Sequence, residues 1–383
     1  MSKTPDHISS AKFLEELRRY QNGSVTKRHF LGVTGLGLAT AVMSAAVPGL
    51  RPRRAYAGLS GTLNFTTWPN YFDPKNFENF TAETGVKINV TIFGSNEEML
   101  AKLQAGSTGW DVFVPTNYTI STYKDLDLIQ ALDLKLIPNY DPAAQDPRFL
   151  GPGTIDGVTY AVPKDWGTTG FIVNSKQAPQ NPASWKEFWD LAQGALSDRV
   201  TVHDYQLTTI GSALKSFGYS FNSLDEKEMA DAEKLLLAVK PHLFGITSDY
   251  QPAMRNGDAW MAMCWTNDAA QLHRDIPEMQ YVLGKEGGEI WTDHYAIPKD
   301  APNREAAYAF IDYLLTPAIN AKEITAHGAP STDARCNALL PKEILENPIL
   351  YPAAEQLSAL EFGAAATLTS PLRAEVMARF KAA

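Results

Sequence analysis

The stretch Glu289-Ile290-Trp291-Thr292-Asp293-His294-Tyr295-Ala296-Ile297-Pro298 places an acidic side chain between two aromatic ones at every-second-residue spacing. Side chains alternate across a strand, so a strand over 290–297 puts Trp291, Asp293 and Tyr295 on one face. A carboxylate between two π-faces fills a core poorly. It holds an organic cation well, because a ring contributes ~0.5–2 kcal/mol of cation–π attraction. A charge-assisted ammonium–carboxylate hydrogen bond in a dry cleft adds ~1.5–3 kcal/mol.

Further aromatic residues gather where strands are predicted to end. Trp68 and Tyr71 follow 62–67, Tyr118 follows 110–115, and Trp265 closes 260–265. A tryptophan inside a predicted helix, such as Trp185 or Trp189, reads as core, whereas one just past a strand end in an α/β protein can face the crevice. Their convergence carries the argument; no single one does. Asp268 follows Trp265 by three and has two readings, a ligand carboxylate or a helix N-cap. Two aspartates a diamine's length apart, with rings between, would hold both ends and the methylenes.

Paired carboxylates with tryptophan platforms would also suit a secreted glycosidase. Against an enzyme, the sequence has no G-x-S-x-G, no H-E-x-x-H and no phosphate loop. His203, His294 and His327 stand apart without recognisable partners and read as structural. No zinc spacing occurs, and no cofactor or metal is expected.

The elements that must position these residues begin with a strand over 62–67 and the loop Trp68-Pro69-Asn70-Tyr71. Asp73 and Pro74 open a helix that Gly85 ends. Strands follow over 86–93 and 110–115, with a helix over 97–103 between them. Alternation of strands and helices predicts a largely parallel sheet covered on both faces. Near 160–174 two apolar runs are separated by a Gly- and Thr-rich turn. Ser184-Trp185-Lys186-Glu187 is a capping box. Further strands are expected over 200–203 and 260–265, and helices over 207–217, 227–237 and from 267. Asn303 caps a helix over 305–315, and the tail reads as helical. Two α/β segments with an extended passage and a return between them predict two lobes with crossing strands and a cleft.

Composition narrows the partners. The chain of 383 residues is 44% hydrophobic and 20% charged, ordinary for a globular protein. Residues 1–58 hold nine Lys/Arg and three Asp/Glu, leaving the remainder with 25 basic and 40 acidic residues, a net of −15. Such a body argues against nucleic acid and is compatible with cationic ligands. The basic segment Ser24 to Leu31, an apolar stretch to Leu50 and Ala55-Tyr56-Ala57 make an export signal, with cleavage expected near Ala57 and a periplasmic mature protein; an uncleaved membrane anchor is the alternative, since ~20 apolar residues can span a bilayer. Thr26-Lys27-Arg28-His29-Phe30-Leu31 is similar to a twin-arginine signal with lysine in the first position, which leaves the export route open. Cys264 and Cys336 could pair or remain two buried thiols; the sequence leaves both readings standing.

Several runs resemble the bacterial spermidine/putrescine-binding proteins of ABC importers. They are Thr67-Trp68-Pro69-Asn70-Tyr71, Phe80-Thr81-Ala82-Glu83-Thr84-Gly85, and Ser95 to Leu103. Trp110-Asp111-Val112-Phe113-Val114-Pro115, Lys285-Glu286-Gly287-Gly288, Trp291-Thr292-Asp293 and Leu350-Tyr351-Pro352 continue the series in order. The resemblance implies an α/β periplasmic-binding-protein fold (type II), two lobes joined by crossing hinge strands and closing on ligand. Lobe 1 is expected over 58–167 plus 296–383 and lobe 2 over 168–295. It implies a monomer that passes a small cationic amine, such as putrescine, to the importer's permease subunits. Carried over by position, Trp68 and Tyr71, Thr116 and Tyr118, Trp265, and Trp291 with Asp293 match cleft residues, and Asp268 is similar to an aspartate of the putrescine branch. Where the family places an acidic residue after the strand at 200–203, this chain has Tyr205 or Thr208; a family glutamine is replaced around Gly363. These departures imply a shorter or differently charged amine than spermidine, and a quaternary ammonium or amino-acid-like amine is the alternative ligand.

Overall fold

The computed structural model describes residues 59–106 and 108–383 together with Arg19. The export leader expected over 1–57 therefore lies outside the described residues. Among the described residues no helix is long and apolar enough to cross a membrane.

The first third follows its sequence signals closely. β1 (Thr62–Thr67) lies between β2 (Lys87–Ile92) and β3 (Val112–Phe113), parallel to both. The helix Pro74–Thr84 starts because Asp73 accepts the Lys75 N–H at 2.9 Å and Pro74 fills the first turn. It stops at Gly85, whose φ of 79° places it in the left-handed region. The helix Asn96–Ala105 is capped by Ser95 Oγ, which accepts from Glu98 N at 3.1 Å.

Beyond β3, a small antiparallel pair, β4 (Thr154–Ile155) and β5 (Val158–Thr159), precedes β6 (Ala161–Asn174). Here the structure departs from the sequence reading, which placed a turn between two apolar runs. β6 is one continuous strand of 14 residues. Its glycines serve packing instead of chain reversal: a Cβ at Gly167 would lie 2.6 Å from Cη2 of Trp291, and one at Gly170 3.1 Å from Cε2 of Tyr281.

The remaining strands are β7 (Val200–Val202), β8 (Gly245–Ile246), β9 (Met261–Trp265), β10 (Met279–Val282), β11 (Gly288–Ala296) and β12 (Leu360–Phe362). Ten strands make one sheet in the order β2-β1-β3-β11-β6-β9-β7-β8, with β10 on β6 and β12 on β11. The sheet is mixed: β1 with β2 and β3, β7 with β8 and β9, and β11 with β12 are parallel, whereas β6 runs antiparallel to β9, β10 and β11. β12 corrects the expectation of a purely helical tail, as its three residues complete the β11 edge.

β6 and β11 are the two strands that tie the halves together. β11 reaches β3 through Ala296 and pairs with β6 from Glu289 to Ala296, while the far end of β6 pairs with β9. All nine residues of β11 are buried. On the first side Phe65, Phe77, Phe80 and Phe310 form edge-to-face ring pairs 5.1–5.5 Å apart. On the other, Phe171, Trp185, Phe188, Trp189 and the helices Gln206–Ser216 and Glu226–Val239 form a separate core.

The last helix, Pro371–Ala382, belongs with that second core. Val376, Met377 and Phe380 are buried in it, and the buried Arg373 guanidinium donates to the carbonyls of Leu207, Phe221 and Ser223. This packing differs from the expected grouping of all of 296–383 with 58–167; the apolar side chains three and four apart find their partners on the second side. Asn303 also differs from expectation. It stands at the N-cap position of the helix Arg304–Leu314, but its side chain makes no capping bond; its backbone N–H and Nδ2 donate to Asp111 at 2.6 and 3.2 Å. Both cysteines are buried free thiols.

Candidate functional site

A cleft with about 410 Å³ of space, part of it open to solvent, lies where β11 crosses between the halves. Eight of the ten residues singled out from sequence line it: Trp68, Tyr71, Thr116, Tyr118, Tyr205, Trp265, Trp291 and Asp293. Pro69, Asn96, Asn267 and Glu289 complete the wall. Asp268 and Thr208 do not reach it.

The rings come from both sides. Trp68, just past β1, meets Trp265 at the end of β9 edge to face, with centroids 5.8 Å apart. Each indole N–H is held: that of Trp68 by the Val114 carbonyl at 3.1 Å, that of Trp265 by the Tyr205 hydroxyl at 3.1 Å. Trp291 leans over Gly167, and its buried Nε1 has no protein partner. Tyr71 packs edge to face with Trp291 at 6.3 Å. The Asn96 amide links the hydroxyls of Thr116 and Tyr118, at 3.2 and 3.1 Å.

Alternation along β11 places Glu289, Trp291 and Asp293 on the same face, and all three line the cavity. The expected same-face alternation stops there: the pairing with β6 shifts register between Asp293 and His294, and Tyr295 is buried in the first core near Phe65. Burial pushes the Asp293 carboxyl up to about 8, reinforced by the charge of Asp165; Thr116, Lys164 and Tyr71 pull the other way. Among the described residues its Oδ1 has no hydrogen-bond partner. Burial also raises Glu289 to about 7, opposed by the hydroxyls of Thr169 and Thr208, which donate at 2.6 and 3.4 Å.

Behind this wall lies an internal ion pair. Lys164 Nζ bonds Asp165 Oδ2 at 2.5 Å, sits 3.3 Å from His327 Nε2, and lies 3.5 Å above the centre of the Tyr71 ring. The Tyr71 hydroxyl donates to the other oxygen of Asp165. One face of Tyr71 is thus occupied by the protein's own cation, and the Lys164 charge is taken up by Asp165 and not by Asp293.

Two sequence-predicted residues stand outside the cavity wall. Asp268 sits in the first turn of the helix Thr266–Asp275, where Gln251 and Asn267 donate to its Oδ1 at 2.7 and 3.2 Å. Thr208 lies one layer back, bonded to the Tyr205 hydroxyl and to Glu289. At Gly363 a Cβ would lie 2.9 Å from both Tyr118 and Leu207, so the Tyr118 ring closes the place where a longer side chain would stand. His203 and His294 are buried, and burial holds both near 3, neutral at physiological pH.

The fold and this cleft are those of a periplasmic binding protein, and the chain belongs to the bacterial extracellular solute-binding protein family, whose profile matches residues 75–351. Proteins of this family bind solutes for transport and are not enzymes. The chain is similar to the spermidine/putrescine-binding periplasmic protein of Salmonella typhimurium, with 31% identity over 86% of this chain and 91% of that protein. It is 29% identical to the putrescine-binding periplasmic protein SpuD of Pseudomonas aeruginosa over 85% of this chain and 92% of the relative. A solved Listeria monocytogenes structure assigned to a spermidine/putrescine ABC transporter superimposes with a TM-score of 0.77 at 31% identity, covering 84% of this chain and 98% of that one.

Proposed function

We propose that this protein captures a small cationic amine, a polyamine such as putrescine, outside the cytoplasm and delivers it to the permease subunits of an ABC importer. The observation that carries this reading is Asp293, a buried carboxylate with an unpartnered oxygen facing a cavity walled by indole and phenol rings. An ammonium group there would satisfy Oδ1 and lie against Trp291. The curated relatives bind spermidine and putrescine by their names, which supports the same ligand class here.

In this reading the lobes comprise 58–167 with most of 296–370, and 168–295 with the last helix docked on it. Ligand touching both sides favours the closed arrangement because it binds that state more tightly. The chain acts as a monomer after removal of residues 1–57.

Calorimetry on the chain beginning at Gly58 tests the reading. Putrescine should bind, and Asp293→Asn should weaken it by roughly 10–100-fold, the value of one charge-assisted hydrogen bond. Unchanged affinity in Asp293→Asn, or no binding of any amine by the parent protein, would overturn it.

A further inference from the structure

We infer that Glu289 is the second ammonium anchor of this cavity and that, with Asp293, it sets the length of diamine the protein accepts. The inference rests on the amine-binding reading above and adds a residue and a length rule to it.

Glu289 and Asp293 are the two carboxylates in the cavity wall. They stand on one face of β11 with Trp291 midway between them. Each is at least 95% buried, at 3% and 5% exposure, and no basic side chain is bonded to either. Lys164, the nearest cation to Asp293, is taken by Asp165. The hydroxyl contacts of Glu289 both go to Oε2, and among the described residues Oε1 accepts no hydrogen bond. Two buried carboxylates left without counter-charges are costly, and both face the same empty space. A ligand with two positive ends removes both costs at once; a monocation removes one.

Spacing then limits the ligand. Four residues along a strand advance ~13 Å. Bonds of ~1.5 Å at tetrahedral angles advance ~1.25 Å each, so a four-carbon diamine spans ~6 Å between nitrogens. With an N–O contact of ~2.8 Å at each end it bridges ~12 Å, close to that advance along the strand. A triamine with three- and four-carbon arms spans ~11 Å and overshoots, and the wall offers no third carboxylate. Trp291 lies against the methylenes in the middle.

The test is calorimetry with putrescine, cadaverine, spermidine and n-butylamine on the chain from Gly58, with Glu289→Gln and Glu289→Asp beside the parent. The parent should prefer putrescine or cadaverine to n-butylamine by at least tenfold. Glu289→Gln keeps the shape and the Thr169 contact, and should bring putrescine down to the level of n-butylamine. Glu289→Asp withdraws the carboxylate by one methylene and should shift the preference toward cadaverine. Putrescine binding that survives Glu289→Gln, or a length preference unmoved by Glu289→Asp, overturns the inference and leaves the amine-binding reading intact. A parent protein that binds no amine overturns both.

Discussion

Trp291 keeps its place in the cavity because position 167 carries no side chain. Adding a methyl there puts a carbon within 2.6 Å of the indole, so Gly167→Ala must displace the ring. We expect that variant to weaken putrescine binding at least tenfold while far-UV circular dichroism stays unchanged; full affinity would show that the indole does not touch the ligand. Trp291→Ala should cost ~2–4 kcal/mol of binding, the cation–π and packing contributions together, in the same calorimetric assay. Most of the wall was legible from sequence because aromatic residues just past strand ends are costly to expose and rarely needed in a core. Glu289 was legible in principle, since the alternation that aligns Trp291 with Asp293 also aligns the residue two before Trp291. Asp268 was not separable: a carboxylate in the first turn of a helix has the same local sequence whether it faces a cavity or, as here, the Gln251 amide.

At the level of elements, the short-range signals worked where one residue decides the geometry. Asp73, Ser184 and Gly85 mark helix ends as expected because a cap is a contact within four residues. The failures involve partners far along the chain. The Gly-Thr-rich passage in β6 looks like a turn until Trp291 and Tyr281 are known to need its glycines. Asn303 looks like a cap until Asp111 claims it. The final helix gives a further test. Phe380 is fully buried among side chains from 171–263, so Phe380→Ala should lower unfolding free energy by ~3–5 kcal/mol in urea titration. A change below ~1 kcal/mol would mean that this helix is only loosely attached.

For the whole molecule, buried acids set the response to pH. Burial lifts Asp293 to about 8, and Glu289 and Glu323 to about 7, each above its unfolded value near 4. From about pH 6.5 to about 8 the unfolded chain has already released these protons while the folded chain is still releasing them, so stability falls as pH rises and levels off above that. His203 and His294, held near 3 when folded, are largely neutral in both states above 6.5 and add little there. The melting temperature of ligand-free protein should therefore drop across this window, and saturating putrescine should flatten the slope because it favours the ionised acids. A ligand-free melting temperature that climbs with pH would refute the assignment of these groups. The two-lobed plan itself was legible from the alternation of strands and helices, but the grouping of the tail was not, since it depends on which core Val376 and Phe380 enter. That docking has a practical outcome for a test of the proposed closure. A dye attached at the exposed Ala383 travels with the half that carries Trp265, and a second on exposed Lys87 with the half that carries Trp68. If the halves close on ligand as proposed above, energy transfer between them would report uptake in real time, with neither dye on a residue of the cavity wall.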